Sequence, residues 1–150
     1  WKVIVGVIAL MWTVHFLNII LTGSLLRWGL IPRDLYGLVG VITMPFLHGN
    51  IWHLIGNTIP LVILFGLLAG SRANSIATAS GIALIGGLLL WVFGRSSSVH
   101  VGASGLIYGL IAFMIAAGYF ERRPLSIAVA VLVFFFYGSS LIWGVIPSPG

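Results

Sequence analysis

Apolar residues fill this chain in long blocks, not in alternation or narrow stripes, and the few charges fall between the blocks. There is no Asp, Glu, Lys or Arg between Asp34 and Arg72, between Arg72 and Arg95, between Arg95 and Glu121, or from Pro124 onward. Each gap can hold the roughly 20 apolar residues that cross a bilayer. The pattern predicts five spans, at about 3–22, 49–70, 74–94, 101–120 and 125–146. The third stops at Gly94-Arg95 and the fourth at Glu121-Arg122-Arg123-Pro124, where charge and proline end a helix. Segment 23–48 reads differently. It mixes Arg27, Pro32, Arg33, Asp34 and Pro45 with Trp28, Leu30, Tyr36 and Phe46, the composition of a loop lying in the membrane interface.

Composition agrees. Hydrophobic residues make up 60% of the 150 and charged residues 6%, against about 25% charged in a soluble domain. Such a chain cannot cover itself with a wetted surface. The expected fold is an all-α, polytopic membrane helix bundle, one domain over 1–150 with the lipid bilayer as its surroundings. The net charge of +5 comes from seven scattered Lys and Arg residues at span ends, the placement of membrane anchors, so no nucleic-acid partner is expected. The absence of cysteine excludes disulfides and thiol chemistry. The chain starts at Trp1 and its first apolar stretch has no cleavage pattern, so that stretch is read as a retained span. Both ends read as cut from a longer chain.

Span parity places the candidate chemistry. A cytoplasmic N-terminus puts Lys2, Arg72, Arg122 and Arg123 inside and Arg27, Arg33 and Arg95 outside, which satisfies the positive-inside rule by one charge. Spans two and four then start on the same, outer side. His53 and Asn57 share one face of span two at i, i+4 spacing, roughly 6–12 Å below its start. Ser104, between Gly102 and Gly105, is expected about one turn into span four. The three polar residues can therefore meet near the outer surface.

A serine among glycines at a helix start has unpaired N–H groups and a positive dipole end beside it, suited to an oxyanion. The same residues also make a close-packing helix face. Polar groups as deep as His53 and Asn57 need a polar cavity or an interhelical hydrogen bond. His48 and His53, five apart and without an HExxH pattern or a nearby acid, do not suggest a metal site. A two-aspartate protease is excluded because Asp34 is the sole aspartate. A Ser-His-acid triad lacks its acid: Glu121 lies at the far end of the serine's span, and Asp34 is expected to pair with Arg33. What stays open is a serine-histidine dyad. None of His15 (beside Asn18), His48, His53 and His100 stands out as its base.

In this order and on alternate spans, His48, His53 and Asn57 followed by Gly102-Ala103-Ser104-Gly105 resemble the rhomboid family of intramembrane serine proteases. The resemblance covers essentially the whole chain. It implies a six-span fold of which five are present, Ser104 as nucleophile, and His53 and Asn57 as oxyanion stabilisers with the Ser104 N–H. It also implies a supporting hydrogen-bonding role for His48, close backbone approach of substrate at Gly102, and stacking of Tyr108 on the base. Two departures are visible. Trp28 and Arg33 are separated where the family often has a Trp-Arg pair, and the family's base histidine lies on a sixth span that would follow Pro147-Ser148-Pro149-Gly150.

The implied activity is cleavage of transmembrane protein substrates, without cofactor or metal, at the outer face of a bacterial inner membrane or cell membrane. This fragment alone is expected to be inactive. Two alternatives share the sequence: an inactive rhomboid-like protein that binds membrane clients, and a small transporter or channel using His15, Asn18, His53 and Asn57 as a polar path. Substrate identity and oligomeric state are not written in these residues.

Overall fold

In a computed structural model, which describes residues 2–70, 74–95 and 98–145 (side chains as far as 137), the apolar blocks form helices. They are α1 (Lys2–Ile20), the short α2 (Gly40–Thr43), α3 (Ile51–Ala69), α4 (Ser75–Phe93), α5 (Ser104–Glu121) and α6 (Pro124–Val145). Single 3-10 turns at Ser24–Trp28, Tyr36–Val39 and Met44–Phe46 make up much of the connection between α1 and α3. By length and composition α1, α3, α4 and α5 can each cross a membrane. The protein is an all-α integral membrane protein. Arg72 of the orientation argument and the Pro147–Gly150 stretch lie outside the described residues.

Local chemistry sets the helix starts. Asn50 accepts the His53 N–H at 2.8 Å and caps α3, and Asn74 accepts from Ile76 and Ala77 at 3.1 Å each and caps α4. The fourth span starts later than its apolar pattern predicts. Gly102 has φ +109°, which no right-handed helix allows, and its N–H donates to the Met44 carbonyl at 2.9 Å. Ser104 is therefore the first residue of α5, not one turn inside it. His100 lies in an extended residue pair with Leu30.

The chain divides into two units, Trp1–Ile107 and Tyr108–Gly150. In the first, α1 packs on α3, and the Trp12 indole N–H donates to the Thr58 hydroxyl at 3.1 Å. α4 is apolar all round, with only Ala79 and Gly87 buried, as expected of a helix whose surface meets lipid. Its C-terminal end holds the interfacial loop. Leu90 and Trp91 pack on the buried Leu30, Val41 and Met44 of the loop. The Trp91 indole N–H donates to the Asp34 carbonyl at 2.8 Å, and the Arg33 N–H to the Trp91 carbonyl at 3.0 Å.

The expected Arg33–Asp34 ion pair does not form. The Arg33 guanidinium donates to the Val92 carbonyl at 2.9 Å, and the Asp34 carboxylate accepts the Gly37 N–H at 3.0 Å. Backbone groups at a turn and a helix end satisfy both charges without a direct contact. The loop folds back on itself so closely that a Cβ on Gly40 would strike the backbone of Leu30 and Gly29. In the second unit α5 approaches α6 at Gly118, where a Cβ would strike Ala130, and the Ser126 hydroxyl donates to the Glu121 carboxylate.

Candidate active site

Two pieces of backbone bring the sequence motifs together, and both lie in the first unit. The first is the start of α3. His53 and Asn57, one turn apart, lie on one face of the helix, His53 half-buried and Asn57 4% exposed. The second is the segment leading into α5. Leu30 and His100 exchange N–H···O bonds of 2.9 and 2.8 Å, and Gly29 leaves room for Val99, His100 and Val101 to lie against it. With the Gly102–Met44 bond, these contacts suspend residues 99–102 from the interfacial loop.

The two pieces meet over Gly102. A Cβ built there would lie 2.5 Å from His53 Nε2, 2.6 Å from His53 Cε1 and 3.3 Å from Asn57 Nδ2. Only glycine leaves this space open, and only glycine adopts the φ of +109° at low cost. Asn57 Nδ2 is buried and has no hydrogen-bond partner among the described residues. An amide nitrogen in that state is a donor waiting for an acceptor. Ser104, half-buried, follows two residues later, within about 7 Å of Gly102 by chain length alone. As the first helical residue its N–H has no intrahelical acceptor, and it sits at the positive end of the α5 dipole.

His48 stands behind His53. It is 1% exposed, its ring meets the His53 ring edge-on at 5.2 Å, and its Nδ1 lies 3.4 Å from the Phe46 carbonyl. Burial foremost, and then the neighbouring His53, pushes its pKa from 6.5 down to about 4, so it is neutral at pH 7. His15 of α1, 2% exposed, places Nδ1 3.2 Å from the His48 carbonyl. Asn18, on the same helix, accepts the Leu25 N–H at 3.0 Å and closes the turn after α1. That bond gives Asn18 a structural role.

Tyr108 falls in the second unit as the fifth residue of α5. His100 is taken up by its pairing with Leu30 and by contacts of its Nε2 with the Ser98 hydroxyl and the Arg95 carbonyl. Among the described residues no group of three or more His, Cys, Asp or Glu is placed to hold a metal ion.

A family model described as Rhomboid domain matches residues 32–150. The chain belongs to the rhomboid family. Curated relatives from Mycobacterium tuberculosis H37Rv and Mycobacterium bovis, each described as an uncharacterized protein, are 36% identical over 149 residues, which covers 95% of this chain and 62% of theirs. An uncharacterized protein of Mycobacterium leprae is 38% identical over 119 residues, 75% of this chain and 47% of its own. This rhomboid chain thus spans about 62% of the length of the first two relatives. No solved structure matches it.

The motifs mark the candidate site residues but not the residues that hold the Gly102 segment in place. Leu30, Met44 and Gly29 support the Gly102 segment entirely through backbone groups or a missing side chain. Their one sequence signal is the recurrence of glycine at 29, 37 and 40 in an otherwise apolar loop.

Proposed function

We propose that this chain supplies the nucleophile and oxyanion hole of a serine-type intramembrane endopeptidase. The observation that carries the proposal is the convergence of His53 Nε2 and the unpartnered Asn57 Nδ2 on the space over Gly102, two residues before Ser104. The Ser104 oxygen attacks the scissile carbonyl of a membrane protein's transmembrane segment. Its proton passes to the base, and negative charge builds on the carbonyl oxygen. His53, Asn57 and the Ser104 N–H donate to that oxygen. Collapse expels the amine, which takes the proton from the base, and leaves an acyl-serine. Water, deprotonated by the same base, then releases the acid.

His53 serves the hole, His48 and His15 lie behind it, and His100 is tied to the loop, so the base is assigned to a histidine beyond residue 150. The greater length of the relatives leaves room for the sixth span that the family resemblance implies. Tyr108 is assigned to stack on that base, and Gly102 to line the approach of the substrate backbone. The bilayer and a transmembrane substrate are the partners. The site opens to the outer face of a bacterial inner membrane or cell membrane.

The test uses the full-length protein in liposomes with a model transmembrane substrate and a fluorophosphonate probe. Wild type should cleave and label. Ser104→Ala should lose labelling and at least about 10,000-fold in cleavage, with its helical circular dichroism unchanged. Cleavage by Ser104→Ala would sink the assignment. A wild type that folds but neither labels nor cleaves would point to an inactive family member that binds membrane clients.

A further inference from the structure

We propose that His15 on α1 is a positioning residue for the hydrolytic site, acting through His48 on the ring of His53. The proposal rests on the reading of His53 as an oxyanion donor.

An imidazole inside a membrane helix is costly unless it is used, and His15 is 2% exposed. Fastening α1 to α3 does not require it, because Trp12 already donates to Thr58 one turn away. What His15 touches is the backbone of the residue behind His53. The His48 carbonyl oxygen can only accept, so the facing Nδ1 of His15 carries the proton and donates at 3.2 Å. His48 is held in the same way at its own ring, where Nδ1 donates to the Phe46 carbonyl at 3.4 Å. The two bonds fix residues 46–48 immediately before Asn50 caps α3 through the His53 N–H.

The His48 ring then meets the His53 ring edge-on at 5.2 Å. Beyond it His53 Nε2 stands over Gly102. The order of contacts is α1, the residues before α3, His48, His53, hole. Both His15 and His48 are thereby set as Nδ1–H tautomers, and the Nε2 of each is buried without a partner among the described residues. A peg that merely filled space between helices would need neither a defined tautomer nor a donor at this position.

The experiment compares His15→Asn with His15→Leu in the full-length protein. Asparagine keeps an N–H donor at the place of Nδ1, and leucine removes it. Turnover is measured per fluorophosphonate-labelled site, so that misfolded protein does not count. His15→Leu should lower kcat about 10-fold with KM within about twofold, and His15→Asn should recover most of the loss. Ring 15N spectra of the wild type should show His15 and His48 as Nδ1–H tautomers, and the His53 ring signals should move in His15→Leu.

Wild-type kcat in His15→Leu, or an Asn variant as slow as the Leu variant, would overturn the proposal. So would Nε2–H tautomers in the wild type, a readout available even if neither variant folds. If the wild type itself neither labels nor cleaves, the protease reading fails. The positioning contact is then judged by the spectra alone: unmoved His53 signals reject it and shifted ones support it.

Discussion

The two sides of the candidate site are built by opposite means. On α3 the candidate groups are side chains, and a regular helix with an asparagine cap sets their spacing. At the head of α5 the candidate groups are backbone N–H groups and one hydroxyl, and long-range bonds from Leu30 and Met44 set their place. The α3 side is held by local regularity. The α5 side is held by a distant loop. Damage should therefore spread differently. A change on α3 should remove one donor and leave the fold, whereas a change in the loop should cost stability and the site at once.

The sharpest way to break the comparison is at the point where the sides touch. Gly102→Ala places a methyl 2.5 Å from His53 Nε2 and 3.3 Å from Asn57 Nδ2, obstructing two donors together. In the full-length protein, cleavage should fall by at least about 1,000-fold, and the positive φ should cost about 1–2 kcal/mol of stability. Thermal melts and substrate assays on one preparation check both. Retained activity in this variant would show that the space over Gly102 is not where the oxyanion sits.

Asn57→Ala isolates the α3 side. It should lower kcat by about 100- to 1,000-fold while KM and melting temperature stay near wild type. Gly40→Ala isolates the loop, because its methyl would press into the backbone of Leu30 and Gly29. We expect a loss of about 1–3 kcal/mol in thermal or denaturant unfolding, with activity falling in step with the folded fraction. If Gly40→Ala left stability intact while abolishing turnover, the loop would not be the support described above.

The smallest effect concerns His48. Its folded pKa of about 4 lies below the ordinary 6.5, so between those values the unfolded chain binds the additional proton. Its contribution is complete above pH 6.5 and declines as pH falls toward 4, with a slope of at most about 1.4 kcal/mol per pH unit. Unfolding at pH 7.0 and 5.5 should show the decline in wild type and a flatter profile in His48→Asn.

Much of the α3 side was legible in the sequence, and less of the α5 side was. His53 and Asn57 share a face by helical spacing alone, and span parity was enough to bring the start of α3 toward the start of α5. The apolar pattern set the later helix about three residues early, because Val101 and Ala103 look helical while the φ of Gly102 answers to a carbonyl in another part of the chain. The pairing of Leu30 with His100 left no mark either. A backbone bond can be made by almost any residue, so no residue type announces it.

That pairing bears on how the molecule is made. Leu30 and His100 stand on either side of α3 and α4 in the chain, so they cannot join until both helices have been threaded through the bilayer. Synthesis delivers the earlier elements first. His53 and Asn57 are thus made before the segment that they face. The candidate site therefore cannot assemble until residues 99–104 have been made and docked against the loop.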